Sequence, residues 1–156
     1  MKNILFLTFV LLFALGCSND SNRSSNPYLP NQNVNLRIPL VLANNLTQPG
    51  GVHVDRSAQA GISGVAIYSR DGLNEYYAYE LTCPNHRIQA DGSSILIQDP
   101  KRPSFFYCNA TQLHEGEKVY YSIDLGFWGR PVDKKLEYTL KSYPVTREGE
   151  TIVVRY

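Results

Sequence analysis

The sequence predicts an all-β fold, an antiparallel β-sandwich or barrel of about 120 residues. Three observations predict it. Short runs alternate apolar and polar residues with period two, as half-buried strands do. Clusters of Gly, Pro, Asn and Asp separate those runs. Beyond residue 17, no segment sustains the long, capped apolar stripe of a helix.

The elements follow in order. Val34-Asn35-Leu36-Arg37-Ile38 alternates cleanly, and Pro39 places that strand near a sheet edge. Ile62–Tyr68 is a β-rich run that follows Gly61 and contains Gly64. Arg70-Asp71-Gly72-Leu73 is a turn, and Glu75–Leu81 returns from it, so the two runs form a hairpin. Further strands are expected at Ser94–Gln98, Ser104–Cys108, Val119–Leu125, Leu136–Tyr143 and Thr151–Tyr156. The 11 tyrosines suit strand and core positions on a pleated surface.

The chain has 156 residues, with 15 Lys+Arg against 14 Asp+Glu. That length holds one domain of ordinary size. A net charge of +1 argues against a nucleic-acid partner, which would need a basic surface. Three Cys and one Met exclude a disulfide-dense scaffold.

Much of the apolar content sits at the N-terminus, where 13 of the first 17 residues are hydrophobic. Lys2 is followed by an apolar run from Ile4 to Leu15 broken only by Thr8, then by Gly16 and Cys17. A basic start, a short apolar core and a small-residue exit read as a secretory signal. The run is short for a transmembrane helix, which needs about 20 residues. The abrupt change at Cys17 resembles a bacterial lipoprotein signal, with Ala14 in the usual Leu place. Residues 1–16 are therefore expected to be a signal peptide and Cys17 a lipidated anchor in a bilayer. Residues 18–33, rich in Ser and Asn, read as a flexible tether, so the domain is expected to span 34–156.

Two cysteines remain in that domain, each after a β segment and each with a histidine downstream. The stretches are Leu81-Thr82-Cys83-Pro84-Asn85-His86 and Tyr107-Cys108-Asn109-Ala110-Thr111-Gln112-Leu113-His114. Here the chain resembles the Rieske iron–sulfur family. Tyr77–His86 looks like the strand into its first cluster loop, and Phe106-Tyr107-Cys108 like its second. Asp124-Leu125-Gly126, Gly129-Arg130-Pro131-Val132 and Leu140–Val145 resemble the return to the base sheet. The resemblance covers 34–156, implies a small cluster-loop subdomain over 83–131, and is similar to lipid-anchored Rieske-like proteins of the Bacteroidetes type.

That resemblance implies a [2Fe–2S] cluster held by two Cys on one iron and two His on the other. The usual pattern is Cys-x-His, then Cys-x-x-His. Cys83 and Cys108 match it. Asn85 fills the first His place, with His86 one residue late, and Thr111 fills the second, with His114 three residues late. Six residues of extended chain span about 20 Å, so His114 must fold back to reach the site. The ligand set under this reading is Cys83, His86, Cys108 and His114. Because the family sets its two cysteine loops side by side, a degenerate site implies instead a Cys83–Cys108 disulfide with no cofactor. A mononuclear Cys2His2 zinc site also fits the ligand set.

Other candidates are weaker. His53-Val54-Asp55 puts His and Asp on one strand face and reads as a solvated pair. Phe127-Trp128, between Gly126 and Gly129, is either a platform for a partner or sugar ring, or a wedge under the second cysteine loop. No nucleophile–base constellation of an enzyme is visible. The expectation is thus an envelope lipoprotein on the bacterial outer membrane, facing the periplasm or the surface. It would act as a non-catalytic binding or assembly module for an unidentified envelope protein. The alternatives are a [2Fe–2S] one-electron carrier with a redox partner, and a glycan-binding surface module.

Overall fold

A computed structural model describes residues 26–156. The expected signal peptide and the lipidated Cys17 lie outside the described residues. Among the described residues, eleven strands occur in chain order. They are β1 (Asn35–Pro39), β2 (Val52–Asp55), β3 (Val65–Ser69), β4 (Tyr76–Glu80), β5 (Ile97–Asp99), β6 (Arg102–Cys108), β7 (Val119–Ser122), β8 (Arg130–Pro131), β9 (Ser142–Tyr143), β10 (Val145–Glu148) and β11 (Thr151–Arg155). They build three antiparallel sheets in the orders β1-β11-β10, β2-β3-β4-β9 and β5-β6-β7-β8. The protein is all-β, and among the described residues no helix is long and apolar enough to cross a membrane.

The middle sheet is the wall between two cores. Every residue of β3 is buried. Successive side chains on a strand point to opposite faces. Val65 and Ile67 therefore join one core, with Leu36, Ile38, Ile152 and Val154. Ala66 and Tyr68 join the other, with Leu81, Leu96, Phe106 and Tyr121. Cys83 and Cys108 belong to this second core.

The β3–β4 hairpin forms as expected, in register from Val65↔Glu80 to Ser69↔Tyr76. Asp71 Oδ1 accepts the backbone N–H groups of Leu73, Asn74 and Glu75 and so shapes the turn. β1 pairs with β11 alone, the edge position that Pro39 requires.

One expected strand shortens and one unexpected strand appears. Leu136–Tyr143 contributes only Ser142–Tyr143 as strand. The chain before it crosses the first cysteine loop, where the Asn85 side chain takes both polar groups of the Tyr138 backbone. Those groups are then unavailable to a ladder. β10, not expected from the sequence, closes a hairpin onto β11 through Gly149, whose φ is +62°. Its exposed Thr146 and Glu148 dilute the apolar signal.

The segment read as tether is docked onto the domain from residue 26 onward. Asn26 Nδ2 donates to the Pro84 carbonyl at 2.8 Å, and the Tyr28 ring meets Tyr138 edge-on at 5.9 Å. Leu29 is buried. Its side chain gains apolar contact that a solvated linker does not offer.

Candidate metal centre

Four residues meet in the second core. The ligand atoms of Cys83, His86, Cys108 and His114 all lie within 4.8 Å of one another, and all four residues are buried. Two loops bring them there.

The first loop leaves β4. Leu81 and Cys83 are pinned by backbone bonds, Cys83 N–H to the Ser94 carbonyl and Leu96 N–H to the Leu81 carbonyl, both at 2.8 Å. A turn at Pro84-Asn85 then brings His86 back. Asn85, in the first His place of the family pattern, is a brace. It donates to the Tyr121 hydroxyl at 2.9 Å and to the Tyr138 carbonyl at 2.8 Å, and accepts the Tyr138 N–H at 2.9 Å.

The second loop leaves β6 at Cys108. The sequence implied a long excursion to His114. Instead, one 3-10 turn at Thr111–Leu113 shortens the path. The His114 N–H bonds the Thr111 carbonyl at 2.9 Å. Glu115 and Gly116 follow with φ of +55° and +88°, a left-handed bend that glycine adopts readily and glutamate rarely.

The polar contacts are specific. His86 Nε2 lies 3.2 Å from Cys108 Sγ, and His114 Nε2 lies 3.6 Å from Cys83 Sγ. His86 Nδ1 donates to the Arg87 carbonyl at 2.8 Å, because a carbonyl can only accept. That fixes the proton on Nδ1 and turns the Nε2 lone pair inward, the arrangement of a metal-ligating imidazole. The Tyr121 hydroxyl sits 3.4 Å from Cys83 Sγ.

Charge follows these contacts. The Cys108 thiol and then the Tyr121 hydroxyl hold the Cys83 thiol below its ordinary pKa, against the effect of burial. Cys108 is pushed up, first by its bond to Cys83 and then by burial. His86 is raised by Cys108, whereas burial and the neighbouring His86 lower His114. The arrangement makes Cys83 the more readily ionised of the two thiols, and thiolate is the form in which sulfur binds metals.

The expected Cys83–Cys108 disulfide is not formed; both cysteines are free. Each sulfur faces an imidazole nitrogen across the two loops instead. The other candidates stand apart from the quartet. His53 and Asp55 lie on β2, both half-buried. Trp128 is 43% exposed and meets Tyr77 edge-on at 4.9 Å, while Phe127 meets Phe105 at 6.2 Å. Sequence reasoning missed Asn85 and Tyr121 as supports, since their partners are set only by the packing of distant segments.

A cleft of about 310 Å³ opens beside His114. Its lining includes Tyr28, Asn85, Lys118, Leu136 and Tyr138. His114, itself buried, is the member of the quartet that contributes to this lining.

The chain matches no family model, and no curated protein matches it by sequence. Among solved structures, one described as the complex of reduced oxygenase and oxidized ferredoxin in carbazole 1,9a-dioxygenase is similar at 17% identity. That match has a TM-score of 0.44 and covers 80% of this chain and 94% of that one.

Proposed function

We propose that this chain is a lipid-anchored envelope protein whose Rieske-like β domain holds a metal centre and carries single electrons for a protein partner. The observation that carries this reading is the buried quartet of two sulfurs and two imidazole nitrogens within 4.8 Å. Buried cysteine and histidine converging from two loops, with the His86 tautomer fixed by the Arg87 carbonyl, is a ligand shell with its own outer support. Thiolate and imidazole donors suit iron or zinc rather than magnesium or calcium. Four protein donors leave no open position for a substrate, which favours a structural or electron-carrying centre over a catalytic one. Iron in such a site supplies a one-electron couple. The cleft at His114 gives the centre a near edge for a partner to approach.

A redox-silent zinc centre in a binding or assembly module is the second reading, supported by the same closed donor set. Electrochemistry of the metal-loaded full chain separates the two. A reversible one-electron wave is expected; a metal-loaded protein without one leaves the zinc module. Anchoring rests on the basic start, the apolar run and Cys17. Cys17→Ala is expected to move the protein out of the membrane fraction, and unchanged partition refutes the anchor.

A further inference from the structure

We infer that the Cys83–His86–Cys108–His114 quartet is sized for one tetrahedral metal ion and not for a two-iron cluster. The inference rests on the metal-centre reading above and sharpens it.

The first argument is distance. An ion bound at about 2.3 Å to sulfur and about 2.0–2.1 Å to nitrogen puts neighbouring tetrahedral S and N donors roughly 3.6 Å apart. The observed S···N separations are 3.2 Å (Cys108 to His86) and 3.6 Å (Cys83 to His114). In a Rieske-type [2Fe–2S] centre both sulfurs sit on one iron and both nitrogens on the other. The iron–iron spacing then lies between the sulfur pair and the nitrogen pair. With the same bond lengths, every S···N separation exceeds about 5 Å. No pair of ligand atoms in this quartet is more than 4.8 Å apart.

Order points the same way. A two-iron core segregates a sulfur end from a nitrogen end. Here each sulfur has an imidazole nitrogen of the other loop as a close neighbour. Cys83 of the first loop faces His114 of the second, and Cys108 of the second faces His86 of the first. The two imidazole rings lie 5.0 Å apart at 59°. All four donor atoms are close neighbours of one another, as the corners around a single centre are.

The quartet is also confined. Cys83 Sγ lies 3.4 Å from the Tyr121 hydroxyl, and Cys108 Sγ lies 3.7 Å from the Ser93 carbonyl. Tyr121, Phe106 and Leu96 are fully buried in the same core. Opening the quartet to admit two irons and two bridging sulfides requires moving close-packed side chains.

The test is elemental analysis of the full chain purified in detergent, with acid-labile sulfide measured on the same sample. A Co²⁺ titration of the metal-free protein goes with it. One metal ion per chain, no sulfide, and a single Co²⁺ equivalent giving tetrahedral d–d bands with thiolate charge transfer are expected. Cys108→Ser and His114→Ala are each expected to weaken Co²⁺ binding at least 10-fold, with circular dichroism checking the fold. Iron as that one ion supports both this inference and the electron-carrier reading. Zinc as that ion supports the inference and overturns the electron carrier. Two irons with two sulfides overturn the inference and leave the electron carrier standing. A folded chain that binds no metal in either experiment overturns both.

Discussion

Glu80→Gln tests how the first ligand loop is held. Glu80 ends β4, three residues before Cys83, and is fully buried. Its Oε2 accepts the Ile62 N–H at 2.8 Å and the Tyr143 hydroxyl at 2.7 Å. Its Oε1 accepts the Ser63 N–H at 2.9 Å and the Thr82 hydroxyl at 2.8 Å. Each oxygen thus serves one backbone donor and one hydroxyl. Glutamine replaces one oxygen with an NH2 group. The hydroxyl on that side can rotate to accept, but the backbone N–H cannot. One buried N–H is left unsatisfied, which costs about 1–3 kcal/mol, and the remaining bonds lose their charge assistance. The expected loss is about 3–5 kcal/mol, or roughly 10 °C in Tm for a domain of this size. Urea unfolding of the metal-free protein measures it, as a lower midpoint at unchanged m. A loss below about 1 kcal/mol would refute the reasoning, since it would mean the carboxylate is hydrated or its donors find other acceptors.

Three further outcomes are expected. Tyr121→Phe removes the hydroxyl 3.4 Å from Cys83 Sγ; in iron-loaded protein the potential falls on the order of 50 mV, read by voltammetry, and an unchanged potential refutes the contact. Gly129→Ala places a Cβ 2.8 Å from the Tyr79 ring, at φ of +75°. It is expected to cost about 2–4 kcal/mol in the same unfolding assay, and a neutral effect refutes the close approach. Asp71 is held below its ordinary pKa, mainly by the Glu75 N–H and then that of Leu73. A depressed carboxyl contributes stability above its unfolded pKa and loses it as pH falls through the folded value. Asp71→Ala is therefore less stable than the parent at neutral pH, with a difference that vanishes in acid; a pH-independent gap refutes it.

Much of the fold was legible because burial wrote it into the chain with period two. Val34–Ile38 and Thr151–Tyr156 alternate or cluster apolar residues, and they pair as β1 and β11. Asp71-Gly72 marks the turn that the Asp71 carboxylate shapes. The stretch before Ser142 misled because its apolar Leu136 and Leu140 pack without a ladder, over a loop whose Asn85 supplies the backbone partners. At the site, the inventory of two Cys and two His was readable, but its geometry was not. Extended-chain arithmetic set His114 far from Cys108, whereas the 3-10 turn at Thr111–Leu113 folds it back. The disulfide expectation failed for a related reason, since sequence spacing does not show that each sulfur meets an imidazole of the other loop.

The docking of Asn26 onto Pro84 sets a working radius. With Cys17 as the anchor, about nine residues join the bilayer to the point where the chain is fastened, a leash of roughly 30 Å at full stretch. Pro84 directly follows Cys83, one of the four residues of the candidate site. The leash is therefore fastened at the ligand loop and not at the far sheet. Under the proposed anchoring at Cys17, a partner that exchanges electrons with the proposed centre would have to work in a thin layer beside the membrane, and a soluble carrier roaming the compartment would meet the domain only there.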